Sequence, residues 1–358
     1  MKIKYLTILP LAACVCPTLV ACQNAQNDPT IFEINNLLQT PYKYDIVLQE
    51  PGMLTDSPTV FRHNNKWYMT YINVDAQKVA EEPPTDGYET YITQSDDLLH
   101  WSPGVKILAR RPGSGDWDSN QIAGYMGFIN NDLFGDYSLQ GIGENYYIPY
   151  LGGQLDGYET DPLAIGEAWI KGDLMNPASY HRFEKPILTR DDPDAREGEK
   201  QTLYKSCMFI DRAKTLGHKY VNFYNAKAKD ATEGVFIATS DDGIEWHRYG
   251  KTHVFKDFTV HNTGDPVILK YKNIYIMLYY VLTFDGKTFD NFAISKDLVH
   301  WDAWDGAPLI ESSKEGYDAK YAHKPSIVYK DGVLYHFYCC VDNDNNRHIA
   351  LATSKPLK

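Results

Sequence analysis

The sequence predicts an all-β chain folded as a five-bladed β-propeller of four-stranded antiparallel blades. Two repeats and the composition carry that expectation. A short aromatic strand ending on tyrosine recurs five times, as Trp67-Tyr68-Met69-Thr70-Tyr71, Tyr146-Tyr147-Ile148-Pro149-Tyr150, Tyr220-Val221-Asn222-Phe223-Tyr224, Tyr275-Ile276-Met277-Leu278-Tyr279 and Leu334-Tyr335-His336-Phe337-Tyr338. Such residues suit a pleated surface packed on both faces, and recurrence about every 55 to 80 residues is what repeated sheets produce. A polar turn followed by tryptophan recurs beside it, as Ser95-Asp96-Asp97-Leu98-Leu99-His100-Trp101, Ser240-Asp241-Asp242-Gly243-Ile244-Glu245-Trp246 and Ser295-Lys296-Asp297-Leu298-Val299-His300-Trp301. The chain is 13% aromatic and has 27 tyrosines, without a polar low-complexity tract, so one radial unit can use nearly all of its 358 residues.

Taken in order, the elements begin with a targeting segment over 1–21. Lys2 and Lys4 form a basic start, Tyr5 to Val20 is apolar, and small residues precede a cysteine in Leu19-Val20-Ala21-Cys22. This resembles the lipobox of bacterial lipoproteins, which implies a lipid on Cys22, membrane contact through that anchor alone and a place in the bacterial envelope, periplasmic or at the cell surface. Residues 22–40, rich in Asn, Gln and Asp, read as a tether, and 41–358 as the propeller. Each blade is expected to run as an inner strand, a turn such as His63-Asn64-Asn65 or Lys330-Asp331-Gly332, the tyrosine strand, a loop, a third strand, the polar turn and an outer strand. Ser354-Lys355-Pro356-Leu357 begins a further copy of the polar turn that the C-terminus cuts short. The tryptophans and most of the tyrosines are expected to pack between blades. Cys207, Cys339 and Cys340 form no disulfide framework and no zinc pattern, and read as buried thiols. A net charge of −12 argues against a nucleic-acid partner.

In a propeller the inner strands surround a central channel, and their first residues face one mouth of it. Equal counts back from Tyr71, Tyr279 and Tyr338 reach Asp56-Ser57, Gly264-Asp265 and His323-Lys324, each followed by proline. Proline belongs at such strand starts, where its missing N–H removes no ladder bond. The two blades with insertions are matched by local pattern, which brings in Asp118-Ser119 and Lys205-Ser206. Asp56, Asp118, Lys205, Asp265, His323 and Lys324 therefore ring the mouth, with Asn225 and Lys227 in the loop after the third tyrosine strand facing it. Converging charge is costly to desolvate, so a purely structural propeller would place small or apolar residues there. Facing carboxylates are what cleavage of a glycosidic bond requires: one ionised to activate water or attack carbon, one protonated to supply the leaving oxygen. Trp117 and Tyr125 at the rim are suited to stacking on sugar rings.

Asp56-Ser57-Pro58-Thr59-Val60, Lys66-Trp67-Tyr68-Met69-Thr70-Tyr71 and the first polar turn together resemble the five-bladed glycosidases related to glycoside hydrolase families 43 and 117, over about residues 45–358. The resemblance implies a glycan-cleaving enzyme with Asp56 as base and Asp118 setting the pKa of the acid. It also implies that His323, in Ala322-His323-Lys324-Pro325, is a channel histidine facing an axial water or metal such as calcium; no catalytic cofactor is implied, and no metal ligand is certain. The chain departs from family 43 where that family has its acidic glutamate, because Tyr204-Lys205-Ser206 stands there. The acid is then sought at Glu199 or Glu197 in the charged loop Asp191 to Gln201, at Asp265 or at His323. Glu199 and Asp265 are favoured equally.

The leading expectation is an exo-acting, inverting glycoside hydrolase on a plant or algal oligosaccharide, with loops around Arg110 to Asp116, Asp156 to Pro162 and Asp191 to Gln201 walling the pocket. Lys205, His323 and Lys324, with Trp117, Asn225 and Lys227, would hold the sugar. A glycoside phosphorylase using Lys205, Lys324, His323 and Arg196 for phosphate, or a lipid-anchored protein that binds glycans without cleaving them, are the alternatives.

Overall fold

The computed structural model describes residues 28–357, so the expected signal segment and Cys22 lie outside the described residues. Five antiparallel sheets follow one another in sequence order. From the inner strand outwards, blade one is Met53–His63, Lys66–Asp75, Glu89–Ser95 and Val105–Leu108, and blade two is Gln121–Gly124, Tyr146–Gly153, Ala164–Ile170 and Tyr180–Arg182. Blade three is Thr202–Ile210, Tyr220–Lys227, Glu233–Ser240 and His247–Tyr249. Blade four is Asn262–Tyr271, Ile274–Leu282, Thr288–Ser295 and Asp302–Ala303, with Ile310–Glu311 added to its third strand. Blade five is Tyr321–Lys330, Val333–Val341, Arg347–Thr353 and then Tyr42–Leu48.

That last strand corrects the expected order of elements within a blade. In blade five the outer strand expected after the polar turn comes from the N-terminal side instead, where Tyr42–Leu48 pairs antiparallel with Arg347–Thr353 from Tyr42↔Thr353 to Leu48↔Ile349. The ring is thereby closed by hydrogen bonds between the two ends of the polypeptide. The stretch expected as tether also contains a docked helix, Ile31–Leu38. Thr30 and Glu33 form a reciprocal capping box at its start, and Ile34 and Leu38, one helical turn apart, are fully buried against the core.

The repeats serve the packing roles read from them. Tyr71, Tyr150, Tyr224, Tyr279 and Tyr338 are all buried. Each turn tryptophan leans on a neighbouring blade: Trp101 meets Phe337 edge-on, Trp301 meets Phe223 edge-on, and Trp246 stacks on Phe128. Between the polar turns and the tryptophans, the turn serine and second aspartate bond their own backbone, as in Leu98 N to Ser95 Oγ at 2.9 Å and His100 N to Asp97 Oδ1 at 2.8 Å. The same bonds recur at Ser240–Asp242 and Ser295–Asp297.

One local device positions the site. Strand register slips by a bulge between Asp56 and Thr59, Gly264 and Val267, and His323 and Ser326. Ser57, Asp265 and Lys324 occupy these bulges in the left-handed region, with φ of 52°, 53° and 65°. Non-glycine residues rarely adopt that conformation, at a cost of roughly 1–3 kcal/mol each, and a bulge re-aims its side chains. The proline after each cannot donate to the ladder, which leaves the bulge without a lost bond.

Candidate active site

The charged mouth forms where the five blades converge. Asp56 is fully buried at the start of blade one. Its Oδ2 accepts from Lys324 Nζ at 2.8 Å, from Arg347 at 3.2 Å and from the Tyr158 hydroxyl, while Oδ1 accepts from Ser57 N at 2.7 Å. Burial opposes its charge, yet the Lys324 ammonium and Arg347 guanidinium outweigh burial and hold the carboxyl well below the usual range. Lys324 also reaches Glu159 Oε1 at 3.4 Å. The carboxyl of Glu159 is about one-third exposed, with a side-chain exposure of 32%.

Tyr158 and Glu159 come from the loop between Tyr146–Gly153 and Ala164–Ile170, and this loop is stitched down on both sides. Arg110 bridges Asp86 and Asp156, Gly157 N donates to Asp86 O, Gln121 donates to the carbonyls of Leu155 and Thr160, and Asp161 meets Lys227 Nζ at 2.7 Å. Blade two thus reaches over the mouth to blades one, three and five.

Glu233 opens the third strand of blade three and is only 7% exposed. Its carboxyl accepts from Asn262 at 3.1 Å, and from Asn225 and the Tyr280 hydroxyl at 3.4 Å each. Burial, with the charges of Glu159 and Asp265 nearby, pushes its pKa up to about 8 despite Lys227. Asp265 is likewise raised by burial, partly offset by Lys324 and Lys205. Two further carboxyls, Glu167 and Asp290, are pushed well up by burial, but both are fully buried and Asp290 is taken by His336 Nε2 at 3.1 Å. Glu233 and Asp265 therefore each combine a raised pKa with a place in the mouth, and of the two it is Asp265 that faces the cations Lys324 and Lys205.

Of the sequence-derived residues, Asp56, Asp265, Lys324, His323, Lys205, Asn225 and Lys227 come together here. Asn225 ties the Asp265 backbone to the Glu233 carboxyl, accepting from Asp265 N at 3.3 Å while donating to Glu233. The Lys205 amine is buried without a hydrogen-bond partner, 5.3 Å from the centre of the Tyr125 ring, and burial lowers its pKa. Both residues also line an apolar cavity further along the inner strands, among Pro58, Met208, Val267 and Ile327, so they form the floor between mouth and channel. The water or metal that the resemblance implies at His323 would face two cations, Lys324 and Arg347. Burial and these cations bring the His323 pKa down to about 3, and its Nδ1 lies 3.3 Å from Cys339 O. Among the described residues no group of three His, Cys, Asp or Glu side chains is arranged for a metal ion.

Asp118, Glu199 and Trp117 stand elsewhere. In blade two the residue opposite Leu151, the position that Asp56 holds in blade one, is Ala123, and Asp118 lies outside the strand. Asp118 instead accepts from the Tyr150 hydroxyl at 2.9 Å and from Arg182 at 3.1 Å. Glu199 does the same with the Tyr224 hydroxyl, Arg196 and Arg248. Asp318 takes the Tyr338 hydroxyl at 3.0 Å and Lys43 at 2.6 Å, and Glu50 takes the Tyr71 hydroxyl at 3.0 Å. Glu50, Asp118, Glu199 and Asp318 each precede an inner strand by the same three positions. Arg182, Arg248 and Lys43 lie on outer strands. This is a repeated clamp of tyrosine, carboxylate and outer-strand cation, and it explains Asp118 and Glu199 as structural members. Arg196 belongs to it too, which removes the arginine from the expected phosphate cradle. Trp117 stacks on Tyr150 at 5.6 Å, packed so tightly over Gly152 and Gly166 that a Cβ on either would meet its ring at 2.6 Å.

Tyr158, Glu159, Glu233 and Arg347 were not singled out from the sequence. For two of them a signal existed. The residue seven positions ahead of the turn serines Ser95, Ser240, Ser295 and Ser354 is Tyr88, Glu233, Thr288 and Arg347, and the antiparallel pairings Lys227↔Glu233 and Val341↔Arg347 put these at the mouth. Tyr88 completes the set, its ring edge-on to Tyr158 at 4.9 Å.

No family model matches the sequence, and no curated protein matches it. Solved structures do. One described as "Glycoside hydrolase" is 38% identical, covers 92% of this chain and 97% of its own, and superposes with a TM-score of 0.86. Another, BT0996 in an RGII complex, is 39% identical over 91% of this chain and 95% of its own, with a TM-score of 0.84. A thermostable family-43 glycoside hydrolase, 16% identical over 85% of this chain and 93% of its own with a TM-score of 0.58, shares the fold.

Proposed function

This protein belongs to the glycoside hydrolases, and from that premise we propose that it removes a terminal sugar from an oligosaccharide, with Glu233 as general acid and Glu159 as the ionised carboxylate. The observation that supports this most is the contrast between the two: Glu233 is held protonated near neutral pH by burial, while Glu159 stands beside Lys324 and partly open to solvent. Two carboxyls in surroundings this different, one buried among neutral donors and one beside an ammonium, are suited to the two roles that glycosidic cleavage needs. Glu233 gives its proton to the leaving oxygen as the bond to the anomeric carbon breaks, and Glu159 takes a proton from the attacking water or attacks the carbon itself. Asp56, with its oxygens occupied by four donors, acts in this reading as a positioning residue that fixes Lys324, Arg347 and Tyr158 rather than as the base. Lys205 and Tyr125 close the mouth from the deeper channel, which supports a pocket for a glycan end.

Single displacement with inversion needs room for water between the carboxyls, about 6.5–9.5 Å; proton NMR of the first-formed anomer tests it. BT0996 was solved in an RGII complex, so oligosaccharides derived from RGII are the first substrates to assay. Product analysis on an oligosaccharide library should show release of one monosaccharide by the native enzyme. Glu233→Gln and Glu159→Gln should each lose on the order of 10²-fold or more; full activity in either variant would overturn the assignment. The lipobox-like Leu19-Val20-Ala21-Cys22 supports an envelope lipoprotein, and loss of fatty-acid labelling in Cys22→Ala is the corresponding test.

A further inference from the structure

The acid of a glycosidase lies against the leaving group, so the sugar that departs must rest on the Glu233 side of the mouth. Two phenylalanines stand on that side in a state that core packing does not explain. Phe258 and Phe284 are each 73% exposed, the most exposed of the large apolar side chains among the described residues. Each is joined to the acid by a short relay. His253 packs on Gly234, the residue after Glu233, closely enough that a Cβ there would meet its own at 3.1 Å, and Phe258 lies edge-on to the His253 ring at 5.9 Å. His261 precedes Asn262, which donates to Glu233, and its N–H bonds Leu282 O. Phe284 lies edge-on to the His261 ring at 5.9 Å.

Other exposed apolar residues have partners of a different kind. Phe32 sits edge-on to Trp304, and Phe134 sits edge-on to Tyr271 and Tyr329 beside the turns at the far end of the inner strands. Leu155 lines a groove with Trp117 and Pro162 on blade two. Among the exposed phenylalanines of the described residues, only Phe258 and Phe284 contact histidines that in turn neighbour Gly234 or Asn262, the residues next to or bonded to the proton donor.

We propose that Phe258 and Phe284 form the platform for the departing part of the substrate, stacking on the apolar C–H face of its pyranose rings just beyond the cleaved bond. The proposal rests on Glu233 being the acid. Sugar rings present hydroxyls at their edges and C–H groups on one face, so an aromatic surface recognises them without stripping polar groups of water. Two such rings flanking the acid would hold the leaving oxygen within its reach, and would give the enzyme a preference for an oligosaccharide over a substrate with a small leaving group.

Binding to an array of plant and algal oligosaccharides that includes fragments of RGII, read for the native protein and for Glu233→Gln, tests this. The double variant Phe258→Ala/Phe284→Ala should lose at least about fivefold in affinity for the oligosaccharide bound best, with Phe134→Ala as a control at the far end that binds as the native protein does. Both substitutions remove exposed side chains, so an unchanged melting temperature should accompany the loss. Equal affinity in the double variant, or an equal loss in Phe134→Ala, overturns the platform. Binding by the native protein without turnover overturns the hydrolase reading and leaves the platform to be judged by its affinity; no binding to any glycan overturns both.

Discussion

Asp56 and Glu233 are both buried carboxyls at one mouth, yet their surroundings drive them in opposite directions. Asp56 sits against Lys324 and Arg347 and stays ionised; Glu233 meets amides and a hydroxyl and keeps its proton. Replacing Asp56 by Asn should therefore strand two buried cations and cost about 3–5 kcal/mol of stability along with activity. Thermal unfolding of Asp56→Asn beside Glu233→Gln separates the roles, with a large fall in melting temperature expected for the first alone. The depressed pKa also fixes a pH dependence: because Asp56 binds its proton less readily folded than unfolded, its contribution is complete above its ordinary value of 3.8 and is lost as pH falls through the lower folded value. An acid titration of the native protein should show stability declining below about pH 4, and a flat profile there would contradict the ion pairs.

At the scale of elements, two constructions do the positioning. The loop carrying Tyr158 and Glu159 has no secondary structure of its own and depends on its stitches to Asp86, Arg110, Gln121 and Lys227. Arg110→Ala should displace Glu159 and lower kcat/KM by on the order of tenfold to a hundredfold, with the melting temperature little changed; steady-state kinetics on the released sugar would read it. The clamps of tyrosine, carboxylate and outer-strand cation hold the layers of blades two, three and five together, and Tyr150→Phe should cost about 1–2 kcal/mol in chemical denaturation by leaving Asp118 one donor short. These same elements show why the sequence reading reached the mouth and then misassigned part of it. Counting from the repeat tyrosines finds the bulges at Ser57, Asp265 and Lys324, because blades of one register repeat their channel positions. Asp118 and Glu199 look like channel carboxylates in a linear sequence; only the cation from an outer strand, over forty residues later in each blade, reveals the clamp. Glu233 and Arg347 were legible by counting from the turn serine, whereas Glu159 sits in an unrepeated loop that no internal copy can calibrate.

The whole molecule is a ring closed by its ends. Tyr42–Leu48 completes blade five, the helix Ile31–Leu38 packs beneath it, and Lys43 reaches Asp318, Glu311 O and Ser313. Blade five also contributes Arg347, His323 and Lys324 to the mouth, so closure and chemistry share one sheet. A variant lacking residues 28–48 should expose the edge of Arg347–Thr353, aggregate, and lose activity along with its cooperative melting transition; a soluble, active truncated protein would contradict this view of closure. The fold itself was legible because both repeats recur in nearly every blade, while the outer strand of the fifth was hidden by its distance along the sequence.

The measurement that bears most directly on the central claim is the pH dependence of kcat/KM on a cleaved oligosaccharide, for the native enzyme and for Glu233→Gln. With Glu233 as the proton donor, the native rate falls as pH rises through about 8, and the variant loses that alkaline limb together with most of its activity. A variant that keeps both the rate and the limb would show that the proton comes from another group and that the mouth has been misread.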